Sequence, residues 1–164
     1  MGRALTRLIL YTGVVVGVVV IATLVGQGSG NVFHEMGKCF ALAGFMLLAL
    51  QFLLASRIKW IESPFGLDIL IRFHKHMAGF AAILVLCHPV LLAAGDGNWK
   101  LLIGLDLPWY IWLGKAALAV VIIHVLISAY QASLNLKFER WRFVHNVAGI
   151  AIVASAFTHS WFAG

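Results

Sequence analysis

Charge is the scarcest property of this sequence. Only 11% of its 164 residues are Asp, Glu, Lys or Arg, against 62% hydrophobic. With a mean hydropathy of +0.97, that balance excludes a water-soluble globular enzyme. Cysteine is almost lacking. Cys39 and Cys87 lie in apolar stretches and form neither CxxC nor CxxCH, which excludes a zinc site and a thioether-linked cofactor. They read as small packing residues. The acids are just as few: Glu35, Glu62, Asp68, Asp96, Asp106 and Glu139 all fall in loops or at their edges. With no carboxylate deep in an apolar stretch, a carboxylate proton pump and paired-acid hydrolysis are excluded. No internal repeat is present, and the only biased segment is a Gly-rich turn around Gly26, Gly28 and Gly30.

What remains is apolar sequence in lengths that cross a bilayer, about 20 residues each. Five spans are expected, at about 8–25, 39–55, 73–94, 109–130 and 143–162. The first is too long and uniform for a signal peptide and lacks its cleavage site. Together the spans and their connections use up the chain and leave no room for a soluble dehydrogenase or nucleotide-binding module. The segment Ile58–Ile71, which mixes Trp60 and Phe65 with Glu62 and Asp68 and contains Pro64, is expected along the inner interface.

The net charge of +6 reports topology and not a nucleic-acid partner. Nine of the twelve cations fall on one side of the spans (Arg3, Arg7, Arg57, Lys59, Arg72, Lys75, Lys137, Arg140 and Arg142), and three on the other (Lys38, Lys100 and Lys115). The positive-inside rule then places the N-terminus in the cytoplasm and the end of the chain outside, with spans one, three and five running outward. Trp60, Tyr130 and Trp141 fall at inner edges, and Trp99, Trp109, Tyr110, Trp112 and Trp161 at outer ones, as interfacial belts require.

Histidine is the exception to the rule that ionisable residues avoid the spans. His74, His76, His88, His124, His145 and His159 lie in or beside them, a costly placement that points to function. His74 and His88 are fourteen apart on span three, and His145 and His159 are fourteen apart on span five. Fourteen residues make four helical turns less about 40°, with a rise of roughly 21 Å, so each pair shares one helix face. Both helices run outward, so His74 and His145 share the inner depth while His88 and His159 share the outer one. Two facing helices with imidazoles at two matched levels can hold two planar cofactors, one above the other. Bis-histidine haem b, held non-covalently, fits that geometry. For any single membrane histidine, hydrogen-bonded packing remains the competing reading; a matched double spacing is much harder to obtain by accident.

Neighbouring residues suit the same reading. Ala78 and Gly79 follow His74, and Ala148 and Gly149 follow His145, which leaves room for a macrocycle or simply for close helix packing. Arg72, Lys75, Arg140 and Arg142 cluster at the inner level, where they pair with propionates or face lipid headgroups. Pro89 removes a backbone hydrogen bond and is expected to kink span three. His76 lies about 200° round the helix from His74 and faces away from that site. His124, at inner depth, is a candidate to hydrogen-bond a propionate or line a pocket. His34 either approaches the outer level or is solvated.

Two runs carry a resemblance. Gly66-Leu67-Asp68 leads into Arg72-Phe73-His74-Lys75 and then His88; Glu139-Arg140-Trp141-Arg142 leads into His145 and then His159. The first is similar to the third helix of NADPH oxidases, and the second to bacterial members of the same group. From about span two onward the chain resembles the ferric reductase-like transmembrane domain family. The resemblance implies an all-α membrane protein, a bundle of five transmembrane helices with two stacked b-type haems between helices three and five. It implies electron transfer from a cytoplasmic FAD/NAD(P)H dehydrogenase, outside this chain, through an inner haem (His74, His145) and an outer haem (His88, His159). The external acceptor would be oxygen, ferric chelate or quinone. A bacterial inner-membrane location is implied as well, with lipid as the surrounding partner. The family usually adds a sixth helix leading to the dehydrogenase, so a truncated membrane domain is expected in preference to a stand-alone subunit. No basic residue over the outer haem is evident, which counts against superoxide production. Two other readings stand beside this one: a cytochrome b561-like or quinol-linked haem subunit, and a non-redox channel or assembly subunit.

Overall fold

Residues 2–26 and 28–163 are described by a computed structural model. Seven helices and no strand are found among them. They are α1 (Gly2–Val25), α2 (Val32–Ala55), α3 (Lys59–Glu62), α4 (Leu67–Asp96), α5 (Lys100–Ile103), α6 (Trp109–Ala129) and α7 (Phe138–Ala163). Five of these, α1, α2, α4, α6 and α7, are long and apolar enough to cross a membrane. The protein is therefore an integral membrane protein of helical type, because apolar helices satisfy their own backbone where no water is available. The chain divides into two compact units, residues 1–103 and 104–164.

In the first unit α4 packs along α2, α1 lies on α2, and α5 folds back on α4. One buried cluster joins Leu47 of α2 to Ala81 and Leu84 of α4, and a second joins Leu54, Ile61 and Leu70. Tyr11 of α1 reaches both, with its ring edge-on to Phe73 at 5.2 Å. In the second unit α6 and α7 pair, burying Ala117, Val121 and Ile152. Most large apolar side chains face outward, as a lipid-solvated bundle requires.

The α2–α4 contact depends on missing side chains. A Cβ at Gly44 would stand 2.6 Å from Val85 Cγ1, and one at Gly37 would stand 2.9 Å from Leu92 Cδ2. At Gly95 it would meet the His34 main-chain nitrogen at 2.6 Å. Small residues let helix backbones approach where lipid offers no hydrophobic drive to bring them together. The top of the pair is tied polar group to polar group. Asn31 caps α2 by accepting from the amides of Phe33 and His34, while its Nδ2 donates to Gly95 O at 2.7 Å. The His34 Nδ1–H donates to the Asp96 carboxylate. His34 is thus not simply solvated; it fastens the start of α2 to the end of α4. Gly97, at φ +64°, then ends α4, and both its own amide and that of Asn98 donate to Ala93 O.

Several helices begin earlier than the hydrophobic runs suggest. α2 starts at Val32 instead of about 39, α4 at Leu67 instead of about 73, and α7 at Phe138 instead of about 143. Once a helix is nucleated its hydrogen-bond ladder continues through polar interfacial sequence, so hydropathy alone underestimates its length. Glu35, Asp68 and Glu139 accordingly sit in the first turns of α2, α4 and α7, where the helix dipole favours a negative charge. The 58–71 segment is likewise no single interfacial stretch. It is the one-turn α3, whose Ile61 packs on Leu54 and Leu70, followed by the start of α4. Pro89 lies inside α4, which continues through it to Asp96.

Gly95→Ala should destabilise the detergent-solubilised protein by about 1–3 kcal/mol, because the clash is with backbone that cannot rotate away. Gly17→Ala, with open space around the new Cβ, should leave thermal stability unchanged or raise it. His34 and Asp96 side chains are 23% and 46% exposed, so their link should contribute about 0.5–1 kcal/mol. In a double-mutant cycle, His34→Ala and Asp96→Ala should each cost about that much, and the double variant no more than one of them.

Candidate functional site

Each unit carries two of the four paired histidines. His74 and His88 lie on α4, and His145 and His159 on α7, all half-buried. Their spacing is realised on continuous helices, so each pair keeps to one face over roughly 21 Å.

The partners of their ring nitrogens decide what these imidazoles can do. His88 Nδ1 lies 3.3 Å from the Gly37 carbonyl on α2, and His159 Nδ1 lies 2.7 Å from the Tyr110 carbonyl on α6. A carbonyl oxygen only accepts, so Nδ1 carries the hydrogen in both rings. In a neutral imidazole the other nitrogen, Nε2, then keeps its lone pair. Fixing one tautomer through the far nitrogen is how proteins prepare a histidine for a metal. Gly114 makes the His159 contact possible, since a Cβ there would stand 2.7 Å from the imidazole Nδ1.

His145 has both a hydroxyl and two aromatic rings around it. Its Nδ1 lies 3.1 Å from Ser128 Oγ on α6. Its ring stacks on His124 at 4.4 Å and 28°, and lies 5.0 Å from the Trp141 ring. His124 and Ser128 are four residues apart on α6, hence neighbours on one helix face. The structure therefore brings His124 directly to His145. Ser128 and Trp141 also meet His145, and the spacing of histidines does not reveal their parts; the only trace in the sequence is the four-residue step from His124 to Ser128.

The cations are arranged more loosely. Arg72 Nε donates to Asp68 O at 3.4 Å, Arg142 lies over the Phe138 ring at 5.8 Å, and Lys75 is exposed. Among the described residues none of the three forms an ion pair with a carboxylate. His76 is exposed and donates Nδ1–H to Arg72 O, consistent with its facing away from His74.

These residues fit haem b on their own chemistry. Two rings have Nδ1–H committed to carbonyls, which is the tautomer that a haem iron bound through Nε2 would require. Beside His145 the Trp141 indole N–H is buried with no acceptor among the described residues, a donor suited to a carboxylate such as a propionate. Among the described residues no cluster of three or more His, Cys, Asp or Glu side chains is placed to hold a bare metal ion.

Comparison with known proteins adds a family. The model of the ferric reductase-like transmembrane component matches residues 40–156, most of the chain. The match takes in α4 and α6 entirely, with His74, His88, His124 and His145, and ends three residues before His159. No curated protein and no solved structure gives a significant match. With five apolar helices, histidines paired at fourteen-residue spacing on two of them, and a family model over more than two thirds of its length, the chain belongs to the ferric reductase-like transmembrane component family.

Proposed function

We propose that this chain conducts electrons across a bacterial inner membrane through two bis-histidine haems b. The donor would be a cytoplasmic FAD/NAD(P)H dehydrogenase and the acceptor an external oxidant of the oxygen, ferric chelate or quinone class. The family supports a redox role in a membrane. The observation that carries the finer reading is the repeated fourteen-residue histidine spacing, on α4 and again on α7, with Nδ1–H donated to carbonyls at His88 and His159.

In this reading His74 and His145 hold the inner haem, and His88 and His159 the outer one. Held by these histidines, haem b would supply one-electron carriage, suited to transfer and not to ligand activation at iron. The chain's own residues do the rest. The Gly37 and Tyr110 carbonyls orient the outer imidazoles. Arg72, Lys75 and Arg142 supply positive charge for inner propionates, Trp141 offers its N–H, and His124 supports the His145 ring. The apolar helices exclude water and keep protons from accompanying the electron. The cation asymmetry supports an inner level, and a dehydrogenase, on the cytoplasmic side.

Reduced-minus-oxidised spectra of the purified protein should show split haem b bands, and pyridine haemochromogen analysis should give two haems per chain. His74→Ala and His145→Ala should each remove one and the same haem, and His88→Ala and His159→Ala the other. Retention of two haems by all four variants would overturn the pairing. Reduction by ascorbate or quinol alone, without a flavin dehydrogenase, would move the donor to a small molecule.

A further inference from the structure

We propose that Ser128 is the positioning residue of the inner haem ligand, its hydroxyl accepting the Nδ1–H of His145 and thereby setting both the ligating nitrogen and the donor strength of that imidazole. The inference rests on the haem reading and adds a residue to it.

The argument starts from the contrast among the hydrogen-bonded histidines. His88 and His159 hand their Nδ1–H to main-chain carbonyls, acceptors that no substitution at those positions deletes. At His145 the partner is a side chain, Ser128 Oγ at 3.1 Å. A hydroxyl holds one hydrogen and two lone pairs, so it can donate to a bare Nδ1 or accept from a protonated one. Ligation of iron through Nε2 requires the hydrogen on Nδ1, so in the haem-bound protein Ser128 accepts. His124 stacked at 4.4 Å and Trp141 at 5.0 Å limit tilting of the ring, and the hydrogen bond to the hydroxyl restrains its rotation.

A chemical consequence follows. Accepting from Nδ1–H raises the basicity of the imidazole and favours ferric over ferrous iron. Without the acceptor the inner haem becomes easier to reduce. A purely structural Ser128 would make threonine and valine shift that haem alike, because they differ in the hydroxyl and not in size.

The test is a redox titration, followed optically, of the haem-loaded full chain and of S128T, S128V and S128A. Threonine and valine match in size and differ in the hydroxyl, while alanine adds no volume should valine prevent folding. The midpoint of one haem should move upward in S128V and S128A, the other should stay, and S128T should resemble the wild type. The haem that moves should be the one lost in His145→Ala. Unmoved midpoints in both S128V and S128A, equal movement of both haems, or an S128T shift as large as that of S128V would each overturn the role of Ser128 while leaving the two-haem reading in place. A wild-type protein with no haem b spectrum would instead overturn the haem reading itself, and this inference with it.

Discussion

A half-buried imidazole in an apolar helix bundle must give its N–H to something, and in this protein the close approach of paired helices supplies the acceptor. Helix carbonyls are already used in the backbone ladder, yet each retains a second lone pair. That lone pair is reachable only where a neighbouring helix comes within side-chain contact of the main chain. Gly114 in the α6–α7 pair, and Gly37 and Gly44 in the α2–α4 pair, provide that proximity. The hydrogen bonds of His88 to Gly37 and of His159 to Tyr110 follow from it. Helix packing and preparation of the histidines are thus one arrangement. A larger residue at Gly114 would run into the imidazole of His159 before it disturbed anything else.

The two units meet this constraint by different means. Along α4, His88 uses a carbonyl of α2, and the same end of the pair is held by Asn31, His34 and Asp96. Along α7, His159 uses a carbonyl of α6, whereas His145 uses the Ser128 hydroxyl together with ring contacts to His124 and Trp141. Stacked rings and a hydroxyl hold an imidazole less rigidly by hydrogen bonding than a carbonyl does, but they restrict it on more sides.

The family assignment and the site geometry support one another without being the same observation. The family match covers three of the four paired histidines and stops short of His159. His159 is nevertheless held by a hydrogen bond of 2.7 Å to the Tyr110 carbonyl of α6. Its place in the scheme rests on spacing and hydrogen bonding, physical grounds that hold beyond the edge of the matched region.

Composition and periodicity alone determined the helical class, the five spans, the side that bears the cations, and the repeated step of fourteen between histidines. These are properties of a chain read along one axis, and hydropathy and helical pitch depend on nothing else. The starts of α2, α4 and α7 were beyond that reading, because capping and ladder propagation carry a helix into polar sequence that hydropathy discounts. Only the tertiary structure decided that His34 belongs to Asp96, that Ser128 and His124 meet His145, and that the carbonyls of Gly37 and Tyr110 fix two tautomers. Each of these joins residues from different helices. Which partner a polar atom finds depends on how closely and at what rotation two helices pack, and a linear pattern does not encode that.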